Sequence, residues 1–551
     1  MSITTPTPAS SPSTEAGAPL LAVEDLRIAY RGRRDLTTAV DGVSLTIEPG
    51  RTLALVGESG SGKSSIARAL LGILGDRAEV TGRVLLAGDA PDEPARDLLA
   101  LPAARARRIR GREIAYVPQD PGGSLDPLRR VIDQVIEPLR HHRIGDPAEH
   151  RARALQALQE AGLEDAEQLA QRHPHELSGG QRQRVLIAVA IVTAPRLIIA
   201  DEPTSALDVT VQRRILDRLQ ELTATHGTAL LLITHDHAVA ADRTDTTIAL
   251  RAGRVVDRGP SRRLLTAPEH PYTRALVEAI PGRSRTLAAI RPAGAASGAP
   301  PLLEVRGAER SFGHRSRPVR ALRPTDLTVR PGDSIGVAGE SGSGKTTLAR
   351  IVLGLTAPDA GEVRIAGREV TRGDRALRRI VQPVFQNPHS SFDPSRSVGW
   401  SVLEPVRALG GVPRARRGEL RDTLLRDVGL DPALAGRRPD ELSGGQLQRA
   451  AIARALAVSP QLLVCDEAVS ALDVTVQAQI LALLARLQQE RGLALVFITH
   501  DLAVLRELCR DVIVMRRGEV VERGVTAHVF DDPQHAYTRE LIAAIPGVVP
   551  V

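Results

Sequence analysis

The sequence predicts an α/β protein that consists of two similar domains in tandem. Its 551 residues are more than one ordinary hydrophobic core accommodates, so at least two domains are expected. The segment "HPHELSGGQRQRVLIAVAIVTAPRLIIADEPTSALDVTVQRRIL" (173–216) returns as "RPDELSGGQLQRAAIARALAVSPQLLVCDEAVSALDVTVQAQIL" (438–481). Each copy also has an upstream strand-like run, a glycine-rich turn and a helical pattern, an order typical of α/β nucleotide-binding domains.

Composition places the domain boundaries. Residues 1–19 have neither the basic nor the apolar region of a signal peptide, so we expect a disordered tail. The two domains are predicted over 20–281 and 301–551. Between them, 282–300 is rich in Ala, Gly, Pro and Ser, and such a linker spans about 24 Å on average. The glycine-rich loops lie further apart than the rest of the repeat, so the first copy has an insertion, mostly around 88–111.

Composition and charge exclude several classes of protein. The chain is 42% hydrophobic and 25% charged, which is typical of soluble globular proteins. Its net charge of +7 does not establish a nucleic-acid partner, because arginine clusters such as 105–112 are usually solvated helix faces. Cys465 and Cys509 are too few for a disulfide framework or a four-thiolate metal site, which favours a reducing cytoplasm. No segment approaches the roughly 20 apolar residues that span a bilayer.

The 72 basic residues include only two lysines, Lys63 and Lys345, and both occupy the same motif. "GESGSGKSS" (57–65) and "GESGSGKTT" (339–347) each follow a strand-like run and precede a helical pattern, as in a P-loop. Backbone N–H groups and the compact ammonium would bind phosphates, and arginine's larger planar fork cannot replace lysine there. The residues expected to bind ATP here are Gly57, Ser59, Gly60, Gly62, Lys63, Ser64, Ser65, Gly339, Ser341, Gly342, Gly344, Lys345, Thr346 and Thr347.

Paired acidic residues end a second apolar strand in each copy, "LIIADEP" (197–203) and "LLVCDEA" (462–468). Alone, such a pair is weak evidence, because many strands end in Asp at a loop. Behind a P-loop and in duplicate, the pattern predicts catalysis. Glu202 and Glu467 would polarise the attacking water, and positioned bases contribute roughly 10²–10⁴-fold. The residues expected to hold Mg²⁺, directly or through water, are Asp201 and Asp466 together with Ser64 and Thr346 of the P-loops.

The pentapeptide "LSGGQ" occurs at 177–181 and 442–446. The simpler interpretation is a helix start capped by serine, but a cap requires neither two glycines nor a glutamine. With this motif the chain resembles the ATP-binding-cassette (ABC) ATPases over about 20–545. The resemblance implies two P-loop NTPase domains, each with a mostly parallel RecA-like core, an antiparallel β subdomain and a helical signature subdomain. It also implies ATP hydrolysis.

In that family the signature motif binds the γ-phosphate of ATP held by the opposite P-loop, so each site is shared. Bare N–H groups at a helix N-terminus favour an anion, in agreement with this role. We therefore expect Lys63 to work with Ser443, and Lys345 with Ser178. The signature residues expected to bind ATP are Ser178, Gly180, Gln181, Ser443, Gly445 and Gln446.

Two further pairs match the family. His235 and His500 end apolar strands, where a lone histidine is more often a core residue. The resemblance makes them switch histidines that contact the γ-phosphate. Gln119 and Gln386 resemble the Q-loop glutamine, which senses Mg²⁺ and water and touches the membrane partner.

Tyr30 and Phe312 precede their lysines by equal distances, where the family stacks an aromatic ring on adenine. Core packing is the alternative. Aromatic residues are only 2% of this chain, and stacking on a base is energetically favourable.

The tails "HPYTRALVEAIP" (270–281) and "HAYTRELIAAIP" (535–546) are similar to those of the peptide/nickel importer ATPases. A proline turn with Thr273 as helix cap is the plainer interpretation, and Ala536 departs from the family pattern. The resemblance implies two integral-membrane permeases, an extracytoplasmic solute-binding protein, and a peripheral location at the cytoplasmic face of the membrane. Dipeptides, oligopeptides, nickel and metal chelates all remain open as solutes.

Tandem cassettes that act on the ribosome or on nucleic acid are the alternative class. The ribosomal proteins join their cassettes by a long, charged helical linker, whereas this linker is short and rich in Ala, Gly, Pro and Ser. Cassettes of DNA repair carry zinc modules or long coiled-coil insertions, and neither is visible in the sequence.

Overall fold

The structure is a computed structural model. It describes residues 18–32, 35–90, 92–204, 207–281, 299–313, 318–371, 373–470 and 472–546. The predicted tail 1–19 lies outside these ranges except for residues 18 and 19. The predicted linker 282–300 lies outside them except for residues 299 and 300.

Both halves interleave strands and helices. The elements of the first half are β1 (Leu21–Arg31), β2 (Leu36–Ile47), β3 (Thr52–Val56), α1 (Lys63–Leu70), β4 (Ala78–Leu86), β5 (Arg96–Asp97), α2 (Ala103–Ile109), β6 (Ile114–Val117), α3 (Pro121–Ser124), α4 (Val131–His142), α5 (His150–Glu160), α6 (Ala166–Ala170), α7 (Gly179–Ile191), β7 (Leu197–Asp201), α8 (Val209–His226), β8 (Ala229–Ile233), α9 (His237–Arg243), β9 (Thr246–Arg251), β10 (Arg254–Pro260), α10 (Ser261–Thr266) and α11 (Pro271–Glu278).

The second half repeats this order. Its elements are β11 (Leu303–Phe312), β12 (Val319–Val329), β13 (Ser334–Ala338), α12 (Lys345–Val352), β14 (Ala360–Ile365), β15 (Arg368–Glu369), α13 (Leu377–Ile380), β16 (Val381–Val384), α14 (Pro388–Ser391), α15 (Val398–Val402), α16 (Glu404–Leu409), α17 (Arg417–Asp427), α18 (Gly444–Leu456), β17 (Leu462–Asp466), α19 (Val474–Arg491), β18 (Ala494–Ile498), α20 (Leu502–Leu508), β19 (Asp511–Arg516), β20 (Glu519–Val525), α21 (Thr526–Asp531) and α22 (Ala536–Ala543).

Each half has two sheets. The larger has six strands, in the orders β10-β9-β3-β8-β7-β6 and β16-β17-β18-β13-β19-β20. In both, every neighbouring pair is parallel except the antiparallel hairpin at one edge, β9–β10 or β19–β20. The smaller sheet is antiparallel and has four strands, β2-β1-β4-β5 or β12-β11-β14-β15. The predicted α/β class with tandem P-loop domains is confirmed.

Burial explains which strands take the centre of the larger sheet. All five residues of β8 and all five of β13 are buried, as expected for strands covered on both faces by helices. The edge strand β10 has no buried residue. Because parallel strands all end at the same sheet edge, the loops after β3, β7 and β8 meet there, and the same holds for β13, β17 and β18.

The two halves also contact each other through their tails. Helix α11 packs against α19 of the second half, and α22 packs against α8 of the first. Ala238, Val277 and Ile280 form one apolar cluster with Val474 of the other half. None of the described helices combines the length and the apolar content that crossing a bilayer requires.

Candidate functional site

The two lysines lie in the P-loops and bond to backbone carbonyls. Lys63 Nζ donates to the carbonyl oxygens of Gly57 (2.7 Å) and Glu58 (2.9 Å). Lys345 Nζ donates to the equivalent carbonyls at 2.6 and 2.7 Å. Both lysines are buried, 6% and 5% exposed. The ammonium groups are therefore held ready beside the loops that would surround phosphate.

Glycine is required at the start of each P-loop. Gly57 has φ of 150°, and a Cβ there would lie 2.3 Å from the carbonyl oxygen of Leu250. Gly339 has φ of 146°, with a Cβ 2.2 Å from the carbonyl oxygen of Met515. Real Cβ atoms do not approach backbone so closely, so the β9 and β19 strands exclude any side chain at these positions.

Carboxylates of the other half also affect the pKa of the two lysines. Burial lowers the pKa of both lysines, and nearby carboxylates of their own half oppose this effect. A further opposing charge comes from Asp473 for Lys63 and from Asp208 for Lys345. Each P-loop therefore faces the start of α8 or α19 in the opposite half. The two halves are arranged head to tail.

Asp201 lies beside the P-loop serine. Ser64 Oγ donates to Asp201 Oδ1 at 3.2 Å, and the Tyr116 hydroxyl donates to Asp201 Oδ2 at 3.2 Å. Burial raises the pKa of Asp201. Burial also raises the pKa of Tyr116 to about 12, so the phenol remains a donor. A hydroxyl and a carboxylate oxygen are ligands that Mg²⁺ prefers.

The second half differs at this point. Pro383 takes the place of Tyr116, three residues before the glutamine, and Asp466 Oδ1 is buried without a partner among the described residues. Burial and the neighbouring charge of Glu467 raise the pKa of Asp466, opposed in part by the charge of Lys345. A buried carboxylate oxygen without a donor fits a cation, so these residues agree with the predicted Mg²⁺ site.

Glu202 accepts a hydrogen bond from the predicted Q-loop glutamine and contacts the predicted switch histidine. Gln119 Nε2 donates to Glu202 Oε2 at 2.7 Å, and His235 Nδ1 lies 3.2 Å from Glu202 Oε1. Burial acts to raise the pKa of Glu202, but His235 and then Lys63 outweigh it and lower the pKa. The backbone of Glu202 is left-handed, with φ of 47°. Gln119 thus contacts the predicted base and not Asp201.

The second half repeats this geometry. Gln386 Nε2 donates to Glu467 Oε2 at 2.6 Å, and His500 Nδ1 lies 3.4 Å from Glu467 Oε1. The hydrogen bond with His500 lowers the pKa of Glu467 against the effect of burial. Its φ is 49°. Both glutamates are therefore ionised and held in a strained backbone at the carboxyl end of a central strand.

The signature motifs begin α7 and α18. Ser178 Oγ accepts from the N–H of Gln181 (3.3 Å), and Gln181 Oε1 accepts from the N–H of Ser178 (3.0 Å). Ser443 and Gln446 form the same capping box. Within the described ranges these hydrogen bonds stay inside each motif, and neither serine bonds to the opposite P-loop.

The second glycine of each signature motif lies against the first turn of the long helix of its own half, α8 or α19. A Cβ at Gly180 would lie 2.7 Å from Val211 Cγ1, and one at Gly445 would lie 2.5 Å from Val476 Cγ1. These glycines therefore bring the signature helix close to α8 or α19, the helices that meet the other half.

The predicted adenine platforms have different surroundings. Tyr30 is half-buried, and its hydroxyl donates to Ser65 Oγ at 3.1 Å, which places it beside the P-loop. Phe312 is 42% exposed, and the guanidinium of Arg310 lies 5.2 Å from its ring centroid. Stacking on adenine stays a prediction for both.

Side-chain contacts join each P-loop to the other half. Thr210 Oγ1 lies 2.8 Å from Glu340 Oε1, and Thr475 Oγ1 lies 3.2 Å from Glu58 Oε1. None of these four residues was predicted from the sequence as a functional residue. The sequence feature that could have revealed them is the duplication, because "GES" and "DVTVQ" recur unchanged in both halves. Tyr116 was also missed, and no equivalent tyrosine in the second half marks it.

The plainer interpretation of the first tail was wrong about the helix cap. His270, not Thr273, caps α11, and its Nδ1 accepts from the N–H of Tyr272 at 3.1 Å. Thr273 is fully buried. His535 caps α22 in the same way, so Ala536 does not change how the second tail begins.

Two family profiles match the chain. The one described as "ABC transporter" matches residues 40–205 and 322–470. The one described as "Oligopeptide/dipeptide transporter, C-terminal region" matches residues 256–301 and 521–551.

Individual relatives extend over nearly the whole chain. The glutathione import ATP-binding protein GsiA of Escherichia coli O157:H7 is 39% identical over 96% of this chain and 90% of the relative. The peptidoglycan transport ATP-binding protein YejF of Agrobacterium fabrum is 41% identical over 96% of each chain. A solved ATP-binding cassette dimer bound to ADP and phosphate is 29% identical, with a TM-score of 0.38 over 41% of this chain and 99% of its own.

Proposed function

This chain is an ATPase of the ABC transporter family, and on that premise we propose that it hydrolyses MgATP at two sites to drive solute import through separate permeases. The observation that supports two sites is the duplication of the complete set of residues. Each half has a buried P-loop lysine, a strand-ending carboxylate pair and a histidine on the second carboxylate.

Phosphate binding starts from the lysines. When ATP enters, Lys63 and Lys345 exchange one or both carbonyl partners for phosphate oxygens, and the P-loop N–H groups supply further donors. Burial strengthens this attraction, because charges interact more strongly where water is excluded.

Water activation belongs to Glu202 and Glu467. Their lowered pKa keeps them ionised, so each accepts a hydrogen bond from water rather than donating one. His235 and His500 hold one carboxylate oxygen, and the Q-loop glutamines hold the other. Each carboxylate oxygen has a further lone pair, through which it would accept a hydrogen bond from the attacking water.

Mg²⁺ would be held by Ser64 and Asp201 in the first site and by Thr346 and Asp466 in the second. When bound, the metal neutralises phosphate charge. Gln119 and Gln386 would join these ligands through their amide oxygens, because their amide nitrogens are the atoms that donate to Glu202 and Glu467.

Single variants Glu202→Gln and Glu467→Gln test the two-site assignment. Glutamine keeps the size of the side chain but is a far weaker base, so each variant is expected to lower the permease-stimulated ATPase rate at least 10-fold. Glu490→Gln, on the exposed side of α19, is the control. If either site variant retains the parent rate, that glutamate is not a catalytic base.

The solute class follows from the tails and the relatives. We infer that the chain energises uptake of peptides or peptide-like solutes, because the oligopeptide/dipeptide C-terminal region matches both tails and the relatives are named for glutathione and peptidoglycan transport. Two integral-membrane permeases and an extracytoplasmic solute-binding protein would complete the importer. The chain would then associate peripherally with the cytoplasmic face of the membrane.

Uptake by vesicles that contain the reconstituted permeases and solute-binding protein tests this inference. Labelled dipeptide, oligopeptide, glutathione and Ni²⁺ are supplied separately, and ATP-dependent uptake of at least one peptide is expected. Uptake of Ni²⁺ alone would contradict the peptide assignment. None of the comparisons favours the alternative of a ribosome or nucleic-acid partner, and co-sedimentation of the chain with ribosomes would support that alternative.

A further inference from the structure

The first peptide group of each P-loop is held at both ends. In the first half, the carbonyl oxygen of Gly57 accepts from Lys63 Nζ at 2.7 Å. The N–H of the same peptide group belongs to Glu58, and it donates to the hydroxyl of Tyr272 at 3.1 Å. Tyr272 comes from the tail, far along the chain. The plane of this peptide is therefore set by the lysine on one side and by a tail tyrosine on the other.

The second half repeats the arrangement. Lys345 Nζ bonds to the carbonyl oxygen of Gly339 at 2.6 Å, and the N–H of Glu340 donates to the hydroxyl of Tyr537 at 2.9 Å. The two tails differ elsewhere, as at Ala536, yet both place a tyrosine hydroxyl on this N–H. It is the same contact at the same atom of the P-loop.

Both tyrosine rings are fixed in place. Tyr272 is 7% exposed and Tyr537 is 1% exposed. The guanidinium of Arg251 lies 5.0 Å from the first ring, and that of Arg516 lies 4.7 Å from the second. Burial raises the pKa of both phenols, so each hydroxyl stays neutral. A rigid ring with a neutral hydroxyl gives the P-loop N–H a fixed partner.

The tail helices that hold these tyrosines also pack on the opposite half. On α11, Val277 lies with Ile280 in an apolar cluster that includes Val474 of the second half. On α22, Glu540 pairs with Arg214 of the first half at 2.9 Å. Each tail helix thus contacts a P-loop of its own half and a helix of the other.

We propose that Tyr272 and Tyr537 are positioning residues for nucleotide binding, which set the first peptide of each P-loop and link its geometry to the docking of the other half. The proposal rests on ATP binding at the P-loops. Without the hydroxyl, the peptide keeps only its lysine partner, and that partner must turn to phosphate when ATP binds. The loop then has to be ordered at the expense of binding energy, so nucleotide affinity falls.

The test uses the full chain with Tyr272→Phe and Tyr537→Phe together. Phenylalanine keeps the ring and its packing and removes only the hydroxyl. Loss of one neutral hydrogen bond at each site is expected to raise the KM for MgATP about 3- to 10-fold, with kcat changed less than 2-fold. Equilibrium binding of a fluorescent ATP analogue should weaken by the same factor.

The control is Thr273→Val, in the same helix. Thr273 is fully buried, and its hydroxyl has no partner among the described residues. This variant should leave KM unchanged. A parent-like KM in the double tyrosine variant, or an equal rise in Thr273→Val, would overturn the proposal. Absence of MgATP binding in the parent itself would instead refute the proposed function.

A separate measurement tests whether the tail links the P-loop to the other half. Val474→Ala shortens the side chain against which the first tail packs, and it should raise the KM for MgATP about 2-fold in the parent. In the Tyr272→Phe background it should add nothing, because the hydroxyl that carries the effect is already gone. Additive increases would show that the tail does not transmit docking to the P-loop.

Discussion

Thr210 of the first half lies with its hydroxyl 2.8 Å from the carboxylate of Glu340, in the P-loop of the second. The same hydroxyl lies 2.8 Å from Asp208, which caps α8 and whose charge acts on Lys345. One hydroxyl proton thus serves two carboxylates, one from each half. Thr475 repeats the contact with the first P-loop. The interface between the halves therefore includes residues of both P-loops.

Removal of the Thr210 hydroxyl should weaken this connection. Thr210→Val keeps the shape but leaves Asp208 and Glu340 without their shared donor, so like charges face each other in a partly buried site. We expect kcat/KM for MgATP to fall about 3- to 10-fold in an ATPase assay. Thr210→Ser, which keeps the hydroxyl, should stay within 2-fold of the parent. Equal losses in both variants would assign the effect to packing and not to the hydrogen bond.

The sites are predicted to be crossed between the halves. Asp473 acts on Lys63 from the opposite half, which supports a head-to-tail arrangement in which Lys63 works with Ser443. Residues that act as one unit do not add their losses. In a Lys63→Ala background, Ser443→Arg should therefore cost little more permease-stimulated ATPase activity, because both changes affect one site.

The partner variant distinguishes the two arrangements. Ser178→Arg in the Lys63→Ala background should abolish the remaining activity, because it disables the site of Lys345. The rates are compared at saturating MgATP. The reverse order, with Ser443→Arg the more damaging addition, would show that each half closes its own site.

The pair of His235 and Glu202 predicts a pH-dependent stability. Burial acts to lower the pKa of His235 and Lys63 adds to this, but Glu202 and then Asp236 outweigh them and raise it above its usual 6.5. A raised histidine pKa gives stability that is complete below 6.5 and is lost as pH rises through the folded-state value.

Thermal unfolding measures this effect. The parent should exceed His235→Gln in melting temperature most at pH 6, and the difference should shrink between pH 6 and pH 9. Glu202 has a lowered pKa, so its own contribution is lost only at acidic pH, below its usual 4.5. A difference that is constant over the whole range would mean that folding does not raise the pKa of His235.

Tyr116 should lower the Mg²⁺ concentration that the first site requires. Its hydroxyl holds one oxygen of Asp201, which leaves the other facing Ser64. Tyr116→Phe releases the carboxylate, so the Mg²⁺ concentration for half-maximal ATPase activity should rise about 3- to 10-fold. Tyr30→Phe, which loses a hydroxyl contact with Ser65, is the control and should leave the Mg²⁺ requirement unchanged. An unchanged requirement in Tyr116→Phe would exclude a role in positioning Asp201.

Local patterns in the sequence were sufficient to predict the fold and the main candidate residues of each site. A P-loop is one continuous segment, so Lys63 and its glycines are recognisable without knowledge of any other part of the chain. The apolar runs of β7 and β17 end in their acidic pairs, and parallel strands bring such ends to one edge. The two-domain α/β prediction is confirmed for this reason.

Contacts between distant segments were decided only by the tertiary structure. Tyr272 meets the N–H of Glu58 from the far end of the same half, and Thr210 meets Glu340 from the other half. No spacing in the sequence encodes these pairs, because each depends on how α11 and α8 pack after the sheets have formed. The sequence by itself was sufficient to predict which groups would bind phosphate. Packing of the tails and of the two halves decided which partners hold those groups in place. A hydrogen bond needs both atoms within about 3 Å, and only the folded chain brings them so close.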